Sequence, residues 1–200
     1  MKRNHIELSF IFAFLLAVIV SLCSFESECK TISSKVLRLH VIAASDSESD
    51  QQLKLKVRDS VLQSCEDILS GETQKGPAER KIAANLDRLR AAAQEEIRQN
   101  GFSYPVRIEL TKSDFPTKTY GNVTLPAGQY NAVQVVIGNG EGKNWWCVMF
   151  PPLCLPAAEK KAELSDVLNR DELLLTQSEP KYEVRFWIIE KIEKLRAGRS

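Results

Sequence analysis

Few residues in this 200-residue chain have the type and spacing for chemistry. Cys147 is a possible nucleophile, and His40 is the one histidine outside the apolar N-terminal stretch. A Cys147–His40 pair would need the imidazole within hydrogen-bond reach of the thiol, drawing off its proton to leave a thiolate. Asp46, Glu48 and Asp50 alternate through a serine-rich stretch, an arrangement open to a carboxylate acid/base pair or to calcium. A calcium loop starting at Asp46 needs glycine at its sixth position and glutamate at its twelfth, where this chain has Gln51 and Val57. Gly138, Gly140 and Gly142 spell G-x-G-x-G and precede a strand pattern, so they lack the spacing and the following helix of a phosphate cradle. Zinc at finger spacing would need four ligands from five cysteines and two histidines, and the spacing is missing. The acids read better as a helix cap and the glycines as a turn.

The elements that would hold these residues begin with the stretch 36–62. Val36, Arg38 and His40 alternate with Leu37, Leu39 and Val41, which predicts a strand. Ser47 with Asp50 three residues on resembles a capping box, and Asp46, Glu48 and Asp50 suit the positive end of a helix dipole. The helix that follows is expected from Glu48 to Leu69. Leu53, Val57, Val61, Cys65 and Ile68 form one apolar stripe, and Leu55, Leu62 and Leu69 an adjoining one. Together they cover about half the circumference, as in a helix packed on a sheet and on a second helix. Lys54 and Arg58 fall inside that arc, with stems able to cover it and charges able to reach out or pair with Asp50. A second helix is expected from Pro77 to about Gln99, burying Ile82, Leu86, Leu89, Ala93 and Ile97.

Three strands and one short extended piece come next. Val106, Ile108 and Leu110 alternate with charged residues, Tyr120–Leu125 suits a short extended piece, and Tyr130–Ile137 and Asn144–Phe150 flank the glycine-rich loop as a hairpin would. Trp145 and Trp146, adjacent on a strand, must face opposite ways. Weak helical pieces are expected around Glu159–Leu168 and Glu172–Leu175, then an amphipathic helix over Tyr182–Leu195. The order β-α-α-β-β-β-α predicts an α+β domain: a mainly antiparallel sheet of about four strands, packed by two long helices and a C-terminal helix.

Lys plus Arg number 27 and Asp plus Glu 26, a net charge of +1, which does not favour nucleic acid as a partner. Lys2, Arg3 and His5 precede an apolar run from Leu8 to Cys23, the pattern of a secretory signal. Ser21 and Cys23 could serve as the small residues of a cleavage site. The same run, left uncleaved, would anchor the chain and make its membrane contact. Residues 1–24 are therefore read as signal peptide or signal anchor, 25–35 as a polar spacer, 36–155 as the core domain, and 156–200 as a charged linker and amphipathic helix of that domain. Export permits disulfides. Cys147 and Cys154, around Pro151-Pro152, are the candidate pair; two buried free thiols, or pairing with Cys65 or Cys29, are the alternatives.

RLHVIAASDSESDQQLKLKVRD and, at 142–154, GKNWWCVMFPPLC resemble the stage II sporulation protein R family, in which asparagine usually stands at the position of Ala44. The resemblance is strong over 36–62 and 115–154. It implies no enzyme activity and no cofactor or metal. What it implies instead is a signal made in the forespore and exported into the space between forespore and mother cell. Its expected partner there is a membrane-embedded aspartic receptor-protease of the mother cell, which processes the sigma-E precursor. Candidate receptor contacts come from the matched blocks: Arg38, His40, Asp46, Asp50, Lys56, Arg58, Asp59, Lys143, Asn144 and Trp145. The competing readings are an exported hydrolase using Cys147 or the Asp46/Glu48/Asp50 carboxylates, and an envelope-anchored adaptor.

Overall fold

The computed structural model describes residues 2–121, 123–151, 167–176, 187, 188, 190 and 191. Helix α1 spans Lys2–Lys35 and leads into strand β1, Leu37–Ile42. Helices α2 (Glu48–Leu69), α3 (Lys75–Ala84) and α4 (Leu86–Gln99) follow. Then come β2 (Val106–Phe115), β3 (Lys118–Tyr120), β4 (Val123–Leu125), β5 (Gly128–Ile137), β6 (Asn144–Phe150) and α5 (Arg170–Thr176).

The main sheet has the order β2-β5-β1-β6. The β2–β5 and β1–β6 pairings are antiparallel and the β1–β5 pairing is parallel, so the sheet is mostly antiparallel, as the element order predicts. One pairing differs. Strands β5 and β6 do not form a hairpin, because β1 lies hydrogen-bonded between them. The loop between them must therefore cross the end of β1, and its glycines serve that crossing. A Cβ on Gly142 would stand 2.2 Å from the carbonyl oxygen of Ser45, and Gly142 N–H donates to Ala43 C=O at 2.9 Å. Gly140 has φ +71° and lies against Val136 and Ile42, with no room for a side chain.

One face of the sheet is covered by α2, α3 and α4. Leu37, Leu39 and Val41 of β1 and Val133, Val135 and Ile137 of β5 meet Leu53, Val57, Val61, Leu62 and Cys65 of α2 there, along with Ile82, Leu89, Ala93 and Ile97. The wide apolar arc of α2 is thus divided between the sheet and α4. The expected second helix is two helices, broken at Asn85. Its side-chain amide donates to Lys81 C=O at 2.8 Å, and its own N–H bonds Ile82 C=O, three residues back. A side chain that bonds nearby backbone offers the chain an alternative to continuing the helix.

The opposite face is covered in part by residues expected as a polar spacer. Residues 25–35 continue α1 without interruption. Phe25, Cys29 and Ile32 are buried with Val36 against Phe115, Tyr130, Ala132 and Val148, together with Leu125 of β4 and Leu168 and Leu175 around α5. Every third or fourth residue here is apolar, which makes one helical stripe in an otherwise polar segment. The small β3–β4 ladder takes the place of the short extended piece expected at 120–125. Asn169 caps α5: its Oδ1 accepts from Glu172 N–H at 2.9 Å, and Glu172 Oε2 accepts from Asn169 N–H at 2.8 Å. Lys35 reaches the same Glu172 carboxylate at 2.7 Å and fastens the end of α1 to α5. Residues 159–166 of the first expected C-terminal piece lie outside the described residues. Of Tyr182–Leu195, residues 187, 188, 190 and 191 are described, all helical.

Candidate functional site

Strand β1 sets the geometry of every candidate. It is central in the sheet, so its side chains alternate between two covered faces. Arg38 is fully buried. Its Nε donates to Cys147 C=O at 3.0 Å and its Nη2 to the Tyr120 hydroxyl at 2.5 Å. The guanidinium carbon lies 4.2 Å from the Phe115 ring centroid and 4.8 Å from that of Tyr130. Nη1 has no hydrogen-bond partner. Among the described residues no carboxylate pairs with this cation. Desolvation lowers its pKa, opposed by Tyr120 and Tyr130. Aromatic faces and neutral acceptors thus hold it in place of a counter-ion.

His40, two residues on, projects to the same face. It is buried and stacks on Trp146 with centroids 3.9 Å apart. Nε2 lies 2.8 Å from Asn144 Oδ1, and Nδ1 lies 3.2 Å from Gln134 Nε2. Gln134 donating and Asn144 accepting fit the neutral Nε2–H tautomer. Burial lowers the pKa of the ring, with the Asn144 bond opposing.

This arrangement separates the nucleophile pair. The register sets His40 opposite Trp146 and Leu39 opposite Cys147, so the imidazole and the sulfur project to opposite faces of the sheet. Cys147 is buried and disulfide-bonded. The expected partner, Cys154, lies outside the described residues. Cys23, Cys29 and Cys65 are free thiols, and burial pushes Cys29 and Cys65 up to about 12.

The acids act as the capping reading expects. Ser47 Oγ accepts from Asp50 N–H at 3.2 Å. The Asp50 carboxylate is buried and takes the Ser45 hydroxyl at 2.5 Å. Asp46 is exposed, and its Oδ1 accepts from Lys143 N–H at 2.8 Å, tying the crossing loop to the start of α2. Lys54 sends its ammonium to Lys143 C=O at 2.9 Å and to Gln51 Oε1 at 2.6 Å, not to Asp50. Among the described residues, no group of three or more His, Cys, Asp or Glu could hold a metal ion.

The candidate contact residues therefore divide. Arg38, His40 and Asp50 are buried and support the fold, because each has its polar atoms turned inward. Asp46, Lys56, Asp59, Lys143 and Asn144 are exposed, and Arg58 and Trp145 are half-buried. Asp46 holds Lys143, and Arg58 lies 4.4 Å over the Trp145 ring with its Nη2 2.7 Å from Asp59. These five residues form a strip running from the crossing loop along the outer side of α2. Lys56 instead turns to α4, donating to Asn100 Oδ1. Trp145 and Trp146 are both half-buried, one on each face. Sequence reasoning missed Tyr120 and Gln134, which complete the settings of Arg38 and His40. The available signal was a polar Gln134 between Ala132 and Val136 on a strand face.

The family model described as stage II sporulation protein R matches residues 33–160. The chain is 34% identical over 222 aligned residues to stage II sporulation protein R of Bacillus subtilis (strain 168), covering 98% of this chain and 99% of the relative. No solved structure matches.

Proposed function

Because the chain belongs to the stage II sporulation protein R family, we propose that it is an exported signalling protein of sporulation, made in the forespore. In this reading it activates a membrane-embedded aspartic protease on the mother-cell side, and that protease then processes the sigma-E precursor. It acts as a protein ligand, not as a catalyst. Family membership carries the reading, since the matched region contains the whole main sheet and its three covering helices. The separation of His40 from Cys147 weighs against a cysteine hydrolase.

A ligand activates a receptor only by binding its active state better than its inactive one. The strip Asp46–Lys143–Trp145–Arg58–Asp59 is suited to such differential contact. It carries both charge signs around a half-buried tryptophan, and tryptophan and arginine are enriched at binding hot spots. The test is co-expression with the receptor-protease and its precursor substrate in a host that does not sporulate. Precursor cleavage is expected only when this chain is present. Cleavage without it, or none with it, would overturn the reading. Replacing Trp145 and Arg58 together by alanine should lower cleavage at least tenfold while the domain still folds and is exported.

A further inference from the structure

Strand β2 lies at an edge of the main sheet, with β5 on its inner side. One bond fixes which of its backbone groups face out. Pro105 C=O accepts from Gly138 N–H at 2.8 Å, and this pair continues the register in which Val106 stands opposite Ile137. Odd-numbered residues of β2 therefore turn their N–H and C=O to β5, and even-numbered residues turn theirs outward. Val106 agrees, since its N–H donates to Gln94 Oε1 of α4 at 3.2 Å. From Ile108 to Asp114 the outward groups have no hydrogen-bond partner among the described residues. Sheets commonly blunt such an edge with a short strand, a bulge, a proline or a cover. Strand β2 is ten residues long, pairs in unbroken register and has no proline between Val106 and Phe115. Charged side chains also blunt an edge, but here their signs alternate. Arg107 and Glu109 are exposed on one face, and neither side chain has a salt bridge or hydrogen bond among the described residues. On the other face Ile108 and Leu110 are half-buried at the rim of the core.

We infer that the outer edge of β2 pairs antiparallel with β2 of a second copy, about a two-fold axis at Ile108, joining the two main sheets into one. A two-fold axis reverses the order of the residues, so a strand reading plus-then-minus is complementary to its own copy. In this register Arg107 of each copy stands opposite Glu109 of the other, at non-hydrogen-bonded positions where side chains lie closest. Ile108 meets its own copy, and Leu110 meets Val106, so the half-exposed apolar rim is covered. Ile108 N–H donates to Ile108 C=O of the second copy, and Leu110 N–H to its Val106 C=O, each bond repeated by symmetry. Val106 N–H keeps Gln94. Other centres fit less well. An axis at Leu110 leaves both charges without an opposite, and one at Lys112 sets two ammonium groups together. An axis at Ser113 pairs Lys112 with Asp114, but it leaves Ile108 uncovered and runs past the end of the strand at Phe115. The pair carries two copies of the strip from Asp46 to Asp59, and so has the avidity of a bivalent ligand where both are engaged.

The experiment is sedimentation equilibrium of the exported protein, purified from a secreting host, over about 1–100 µM. A monomer–dimer equilibrium is expected in that range. Glu109→Arg sets arginine against Arg107 at both symmetry-related positions and should weaken the dimer by about tenfold or more. Arg107→Glu combined with Glu109→Arg restores opposite charges and should bring the dissociation constant back to within about threefold of the parent. Lys112→Glu lies outside the ladder and should change it by less than about threefold. Ile108→Pro removes the central donor, which faces away from β5, and should leave a monomer with unchanged circular dichroism. A chain that stays monomeric throughout the range overturns the inference, and so does a dimer that is indifferent to Glu109→Arg or is not restored by the double exchange. If the parent is monomeric and Ile108→Pro abolishes precursor cleavage, the edge takes a strand of the receptor-protease in place of a second copy. Self-pairing does not rest on the receptor reading, because a dimer that follows these substitutions stands whether or not precursor cleavage is observed.

Discussion

The two faces of the central sheet are built by different physics. The face under α2, α3 and α4 is an apolar core, where Leu39, Val57, Leu89 and Val135 meet with no charge among them. The face under the inner half of α1 contains a guanidinium, an imidazole and a ring of aromatics. The first holds through area removed from water, about 1.5–3 kcal/mol per large side chain. The second adds hydrogen bonds and cation–π contacts, and must offset the desolvation of Arg38. Comparing them shows that a strand with alternating polarity need not have a wet side. Here the polar side is dry and closed by a helix.

The largest expected effect tests whether the two covers are equally integral. Leu39→Ala on the helix-covered face should cost about 2–5 kcal/mol, the range for a buried leucine that leaves a cavity. Ile32→Ala on the other face removes a side chain of equal size and equal burial, and should cost a similar amount. Urea unfolding followed by tryptophan fluorescence measures both. If Ile32→Ala costs less than about 1 kcal/mol, the inner half of α1 is only loosely applied and the faces are not comparable.

Arg38 gives a smaller and more diagnostic effect. Removing one partner from a buried, paired charge is strongly destabilising, but here no carboxylate among the described residues would be left behind. Arg38→Met keeps most of the volume and relieves the desolvation, while Cys147 C=O and the Tyr120 hydroxyl each lose a donor. These terms oppose, and the change should stay within about 1.5 kcal/mol of the parent, well below Leu39→Ala. The same unfolding measurement decides. A loss as large as that of Leu39→Ala would mean that the guanidinium is a net stabilising element.

The contrast also explains what could be read from the residues alone. The helix-covered face was legible because its signals repeat: Leu53, Val57, Val61 and Cys65 keep helical spacing, and Leu37, Leu39 and Val41 keep strand spacing. The capping role of Ser47 was legible for the same local reason. The errors came from long-range placement. Nothing local in 138–142 says that β1 will lie between the flanking strands, so a hairpin was the natural expectation. The stripe Phe25, Cys29, Ile32 is short and set among charged residues, so it read as a spacer until the sheet supplied something to pack against. Of the candidate site, the sequence placed the tryptophans on opposite faces. It could not show that Arg38 and Asp50 turn inward, because a charged residue on a strand or in a cap is normally solvated.

The gentlest test of the comparison changes no residue. Each face carries one free thiol, Cys65 on the buried side of α2 and Cys29 on the buried side of α1. Burial raises both to about 12, so at neutral pH neither supplies appreciable thiolate while the fold is closed. Alkylation of either must then pass through an opening that exposes it, and its rate at increasing urea reports the free energy of that opening. Cys65 sits between α2 and the sheet and should label only with global unfolding. Cys29 lies on the buried side of a single helix, α1, whose turns from Leu8 to Val20 are exposed, so it should label through a smaller opening with a shallower urea dependence. Mass spectrometry of iodoacetamide-treated protein in detergent distinguishes the sites, with the fully unfolded chain as the fast reference. Identical urea slopes for Cys29 and Cys65 would show that the two faces open as one cooperative unit. The inner half of α1 would then be as much a part of the core as α2.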